Sequence, residues 1–231
     1  MFERAHHVRI ATVLEALDAD WLSAHRCLFG GGTAIALSCG EFRESLDIDF
    51  LVSDRAGYSA LRQRVTGPAG LNSIARPGAG LKSAAEVRAD QYGVRTMVEV
   101  ERVQIKLEFV AEGRVDLERP GPNDRICGLA CLTRVDMATT KLLANSDRWA
   151  DDAVSSRDLI DLAMLQLPRP LLTRALAKAT SAYGSSVERD LSKAIARLAE
   201  RAGRLEQCMS ALKIEHVPRA VLWKRIKRLK A

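Results

Sequence analysis

The sequence predicts an α+β fold, in which a mixed sheet with flanking helices is followed by a C-terminal helical bundle. Three observations carry this. Alternating apolar runs fall only in the front half, at Leu46–Val52, Val94–Val100 and Val103–Val110. From Cys127 onward, apolar residues recur three or four apart in one segment after another. No internal repeat or low-complexity tract interrupts the pattern, and the order of strands first and helices later is that of an α+β chain.

Taken in order, residues 8–22 carry Val8, Val13, Leu14, Leu17, Trp21 and Leu22 at helical spacing. His25 to Phe29 then runs into Gly30-Gly31-Gly32-Thr33. Three glycines in a row read as a tight turn, and Thr33 as the N-cap of a short apolar helix over Ala34–Leu37. Leu46–Val52 reads as a strand. Ser53-Asp54 caps a helix through Tyr58, Leu61 and Val65. Gly67, Gly70, Gly78 and Gly80, with Pro68 and Pro77, mark a loop across residues 67–90. Val94–Val100 and Val103–Val110 form a hairpin around Glu101-Arg102. Helices follow over Leu132–Leu143, Leu159–Leu167, Leu171–Tyr183, Val187–Leu198 and Val217–Leu229. Pro168 and Pro170 break the run, and Gly184 and Gly203 stop helices. The division expected is an α+β core over 1–125 and a helical domain over 126–231 with a basic C-terminal region.

Composition narrows the partners. The 231 residues carry 35 Lys and Arg against 29 Asp and Glu, a net charge of +6. Such a chain buries roughly 70% of its unfolded surface, enough to fold without disulfides or a structural metal. The charge is uneven. Residues 169–231 hold 15 basic and 5 acidic side chains, a net of +10, and the remainder holds 20 against 24, a net of −4. A basic tail region on a mildly acidic body points to a polyanion, nucleic acid rather than membrane, or else to a solvated helical surface. No run of eighteen apolar residues is present, and Glu3, Arg4, His6 and His7 stand where a signal peptide needs an apolar stretch, so a cytoplasmic protein is expected. Five cysteines without framework spacing read as reduced thiols. Cys127 and Cys131, one helical turn apart, read as buried residues rather than a zinc pair.

The chemistry concentrates in Leu46–Val52. Alternation puts Asp47, Asp49 and Leu51 on one face and Leu46, Ile48, Phe50 and Val52 on the other. Carboxylates are depleted in strands, and two on one face repel. A divalent cation relieves that repulsion, and Mg²⁺ takes carboxylate oxygens while leaving sites for phosphates. An edge strand with one solvated face explains the same pattern without a metal. In Val103–Phe109, Gln104, Lys106 and Glu108 share a face; placed beside Leu46–Val52, Glu108 supplies a third carboxylate and Lys106 a phosphate contact. The backbone N–H groups of the triple-glycine turn, next to Thr33, offer an anion site. No Gly-Lys-Ser/Thr follows, so this is not a Walker loop.

Gly30-Gly31-Gly32-Thr33-Ala34-Ile35-Ala36-Leu37, followed by Arg43-Glu44-Ser45-Leu46-Asp47-Ile48-Asp49-Phe50, resembles the first motif of the AbiEii/AbiGii-like nucleotidyltransferase toxins, in the DNA polymerase β-like superfamily. Lys141-Leu142-Leu143-Ala144 and Ser156-Arg157-Asp158-Leu159-Ile160-Asp161-Leu162 resemble the family's later motifs. The resemblance implies a nucleotidyltransferase-type sheet and Mg²⁺-dependent transfer of a nucleoside monophosphate from an NTP to an acceptor, the tRNA 3′ end in characterised members, with a neighbouring antitoxin as counterpart. It also implies Asp47 and Asp49 as catalytic metal ligands with Glu108 as the third, and Gly31, Gly32, Thr33, Ser45 and Lys106 around the nucleotide. Lys141 would contact the nucleotide, and Asp158 or Asp161 would serve as the late acid. From the residues alone, Lys141 reads as a snorkelling lysine and Asp158 with Asp161 as a surface ion-pair cluster. Two rivals share the motif: transfer to a protein or small-molecule hydroxyl, and a non-catalytic binding module of the same fold.

Overall fold

The computed structural model describes residues 2–230. The chain divides into two compact units. One comprises the chain up to Ser38 and Ser45–Thr133. The other comprises Cys39–Glu44 and the chain from Arg134 onward.

The first unit is built on a five-stranded mixed sheet. Its strands are β1 (Cys27–Gly30), β2 (Ile48–Val52), β3 (Arg88–Ala89), β4 (Gly93–Val100) and β5 (Val103–Ala111), in the order β1-β2-β5-β4-β3. β2 runs parallel to β5, and the other pairs are antiparallel. Helices α1 (Ala5–Ala16), α2 (Ala19–Ala24), α3 (Gly31–Ser38) and α4 (Arg55–Val65) flank it. α1 packs on β4, α2 on β1, α3 on β1 and β2, and α4 on β2. Alternation does the sorting. Phe29, Phe50 and Phe109 sit in register on β1, β2 and β5, all fully buried, with ring centroids 5.5 and 4.7 Å apart. Burying three aromatic rings in one row contributes several kcal/mol, and it turns their neighbours Gly30, Asp49 and Glu108 to the opposite face.

The expected hairpin is present, and its turn explains itself: Glu101 and Arg102 both adopt positive φ, 51° and 66°, as a two-residue primed turn requires. Asp54 caps α4 through the Gly57 N–H at 2.6 Å, also as the sequence indicates.

Four local expectations change. The helix read over residues 8–22 is two helices, because Asp18 acts as a cap whose carboxylate accepts from the Trp21 N–H at 2.9 Å. The triple glycine is a strand end joined directly to a helix start, so Thr33 lies inside α3 and is not its N-cap. Cys127 and Cys131 are not on a helix. They belong to a small hairpin of β6 (Arg125–Ile126) and β7 (Leu129–Ala130), with Cys127 and Gly128 at positive φ. Cys131 is buried and Cys127 half-buried; burial pushes their thiols up, to about 12 and about 11. Gly203 precedes a helix missed in the sequence.

The second unit is helical. α5 (Arg134–Arg148) packs against α6 (Arg157–Met164), α7 (Arg169–Tyr183) and α8 (Ser186–Glu200). α9 (Arg204–Ala211) and α10 (Arg219–Lys227) complete it, α10 lying on α6. No described helix is long and apolar enough to cross a membrane.

Candidate active site

One polar row crosses four strands of the sheet. Gly30 pairs with Asp49, Asp49 with Glu108, and Glu108 with Arg95. Asp49 and Glu108 are therefore direct neighbours on parallel strands, with side chains on the same face. Two carboxylates so placed demand positive charge. Lys106, two residues from Glu108, provides it: its Nζ donates to Glu108 Oε2 at 2.5 Å, and Asp47 and Asp49 join Glu108 in raising its pKa. Arg95 Nε donates to Glu108 Oε1 at 2.6 Å. Burial pushes the Glu108 carboxyl up, but hydrogen bonds from Lys106 and Arg95 outweigh it and hold the group below its ordinary value.

The glycines set how closely backbone approaches this row. Gly31 has φ +66°, and a Cβ there would lie 2.8 Å from the Cβ of Asp49 and 2.9 Å from its Cγ. Only a residue without a side chain can stand over that carboxylate. A Cβ on Gly30 would meet Leu132 at 2.6 Å. The first turn of α3, residues 31–33, presents backbone N–H groups beside Asp49.

Thr33 and Ser45 serve the strand entry. The buried Thr33 hydroxyl donates to the Asp47 carbonyl and lies 2.8 Å from the Ser45 hydroxyl. The Ser45 backbone N–H donates to Nε2 of His7 at 3.0 Å, and His7 is completely buried. This fixes the His7 tautomer with Nε2 unprotonated. Sequence patterns give no hint of His7, because nothing near it in the chain marks a buried acceptor. Asp47 itself lies one residue before β2 and is exposed.

In the helical unit, Lys141 and Asp158 come together in a row of alternating charge. Arg43 bonds Asp161 through Nε at 2.6 Å and Nη2 at 2.9 Å. Lys141 bridges Asp161 at 2.8 Å and Asp158 at 3.0 Å. Arg148 grips Asp158 at 2.6 and 3.0 Å. Burial raises the Asp158 carboxyl, but Lys141 and Arg148 together pull it far below the ordinary aspartate range. Asp158 and Asp161 are both buried, not a surface cluster, and Lys141 is buried with them instead of snorkelling to water.

The fold gives the class: a nucleotidyltransferase-type α+β protein, with Asp49 near the start of the inner strand β2. The family described as nucleotidyl transferase AbiEii toxin, type IV toxin–antitoxin system, matches residues 13–227, and the chain belongs to that family. Among solved structures, JHP933 from Helicobacter pylori is similar in fold, with 17% identity, TM-score 0.50, and coverage of 100% of this chain and 94% of that one. A second H. pylori structure, provisionally assigned as a nucleotidyltransferase, aligns at 18% identity and TM-score 0.49 over 97% and 93% of the two chains. Among curated proteins, none matches the chain significantly.

The donor set suits a hard divalent cation, because carboxylate oxygens outnumber the one lysine beside them. Among the described residues, no group of three or more His, Cys, Asp or Glu side chains stands ready-arranged as a metal cage. Glu108 is held by Lys106 and Arg95.

Proposed function

We propose that this chain transfers a nucleoside monophosphate from an NTP to the 3′-hydroxyl of an RNA, with tRNA as the acceptor and Mg²⁺ as the ion. The observation that carries the reading is the placement of Gly31 backbone directly over Asp49, in a row continued by Glu108. Asp47 and Asp49, joined by Glu108, are the groups that would hold the ion; when bound it supplies positive charge for the phosphates and the leaving pyrophosphate. The rest falls to this chain's own groups. The N–H groups of the first turn of α3 face the triphosphate, and glycine at 31 lets that turn close onto Asp49. Lys106 exchanges its bond to Glu108 for one to a phosphate oxygen, which leaves that carboxylate oxygen open. Thr33, Ser45 and His7 hold the Asp47 backbone in place through the hydrogen bonds above. Lys141 and Asp158 keep the helical unit's charge row intact; their part is positioning.

The net +10 of residues 169–231 supports a polynucleotide acceptor in preference to a protein or small-molecule hydroxyl. Membership of a toxin–antitoxin family supports a cognate antitoxin as a further partner. Incubation with Mg²⁺, each α-labelled NTP and total tRNA tests the reading. Labelled RNA is expected from wild type and not from Asp47→Ala. Absence of label on any RNA, with free nucleotide unconsumed, would refute it.

A further inference from the structure

Three arginines of the helical unit converge on a single aspartate far along the chain from the carboxylate strand. Asp152, in the short turn Asp152–Val154, accepts at Oδ1 from Arg197 Nη2 at 2.8 Å and from Arg204 Nη2 at 2.8 Å. Arg201 Nη1 reaches its two oxygens at 3.3 and 3.2 Å, and Arg204 also bonds the Asp152 carbonyl at 3.1 Å. Arg197 sits in the last turn of α8, Arg201 follows it, and left-handed Gly203 (φ 73°) reverses the chain so that Arg204 opens α9 beside them.

The arithmetic of charge is lopsided, with three guanidiniums around one carboxylate. Stability does not explain it, since an exposed ion pair contributes at most about 1 kcal/mol and three long side chains lose entropy in meeting. A fork of guanidiniums matches a phosphodiester, whose non-bridging oxygens accept several paired N–H donors at once. The exposures show which part is fixed. The Arg197 and Arg204 side chains are 21% and 18% exposed, whereas the Asp152 side chain is 54% exposed. Arg197 and Arg204 are held by packing, while Arg201 (49% exposed) and the Asp152 carboxylate lie on the solvent side. The two residues that close this turn, Ser155 and Ser156, both adopt left-handed φ of 50° and 52°, a conformation costly for non-glycine residues.

We infer that Arg197, Arg201 and Arg204 form a phosphate-binding fork that Asp152 occupies as a resident anion, and that a phosphodiester of the RNA acceptor displaces it. The occupant is a polynucleotide backbone because the fork is open to solvent and belongs to the +10 segment; this part rests on the reading under Proposed function.

The test uses the full chain as wild type, Asp152→Asn and Arg201→Gln, the last at a half-exposed position that tolerates exchange. Binding of a short single-stranded RNA is followed by fluorescence anisotropy at several salt concentrations, and stabilisation by inorganic phosphate is followed by thermal unfolding at constant ionic strength. Asp152→Asn should tighten RNA binding roughly fivefold by removing the competing carboxylate. Arg201→Gln should weaken it and lower the salt slope by about 0.7, the loss of one phosphate contact. A structural ion cluster behaves oppositely: Asp152→Asn would lower the melting temperature and leave binding unchanged or weaker, which overturns the fork. If no form binds RNA but phosphate stabilises Asp152→Asn more than wild type, the fork stands and the polynucleotide reading fails. If phosphate makes no such distinction either, the fork fails too.

Discussion

Arg43 and Asp161 form a two-pronged ion pair, 2.6 and 2.9 Å, with both side chains almost completely shielded from water. Arg43 lies in the segment Cys39–Glu44 that belongs to the helical unit, and four residues later the chain reaches Asp47 of the α+β unit. The pair thus pins the segment that leads into the carboxylate strand. Removing one partner of a buried pair costs about 3–5 kcal/mol, because the other charge stays buried. Asp161→Asn should lower the urea midpoint accordingly, with an unchanged m-value, and Arg43→Met with Asp161→Leu together should recover part of the loss, Lys141 then keeping Asp158 alone as partner. Equal destabilisation in the double variant would mean that packing, not charge, is what the pair supplies.

Gly31 permits a cleaner separation of site from scaffold. Gly31→Ala forces a non-glycine residue to φ +66° and drives a methyl group into the Asp49 side chain. Gly78→Ala imposes a similar strain, at φ +79°, with nothing within 4 Å of the new carbon. Gly78→Ala should lose about 1–2 kcal/mol of stability, and Gly31→Ala more, because of the overlap with Asp49. Only Gly31→Ala should lose transfer activity, by roughly 100-fold, as expected of a displaced catalytic group. Matched activities in the two variants would show that the glycine serves the turn alone.

Acid should loosen the protein through Asp158. Its folded pKa lies below the unfolded value, so the stability it contributes is complete above about pH 4 and is lost as pH falls below the ordinary aspartate value of 3.8. Glu108 shifts in the same direction from 4.5 and adds to the same window. Urea unfolding followed from pH 6 down to pH 3 should show stability falling in wild type, with a shallower fall in Asp158→Asn because its titrating group is gone. A parallel decline in both proteins would remove Asp158 from the explanation.

His7 supports the site from beneath. His7→Leu leaves the buried Ser45 N–H without its acceptor, at a cost of about 1–3 kcal/mol. His7→Gln can present a carbonyl oxygen to the same N–H, so it should restore part of both stability and activity. Thermal melts and transfer assays on the two variants check this, and an inert Leu variant would contradict it.

How much of this was legible beforehand follows from what each residue reports locally. Asp47 and Asp49 stand out because two acids share one face of an alternating strand, and Glu108 with Lys106 because the hairpin alternation is regular. β1 was invisible: Cys27–Gly30 is buried on both faces, so it shows no alternation. Asp18 falls inside the helix read over residues 8–22, because a cap and an interior acid differ only in backbone geometry. Thr33 misled for the reverse reason, being a good cap type whose hydroxyl instead turns inward to Ser45 and Asp47. The Arg43–Asp161 pair joins residues 118 apart, which no local pattern reveals. The arginine fork on Asp152 is hidden in the same way, because the aspartate lies 45 to 52 residues before the arginines.

The central claim is that carboxylates on β2 and β5 support nucleotidyl transfer, and the position of the label tests it most directly. Wild-type protein should move label from the α-phosphate of an NTP, and never from the γ-phosphate, onto the 3′ end of RNA. Asp49→Asn, which keeps the shape and removes the charge, should reduce that transfer by at least about 100-fold while its melting temperature stays near that of wild type. Label arriving from the γ-phosphate, or full transfer by Asp49→Asn, would contradict the account.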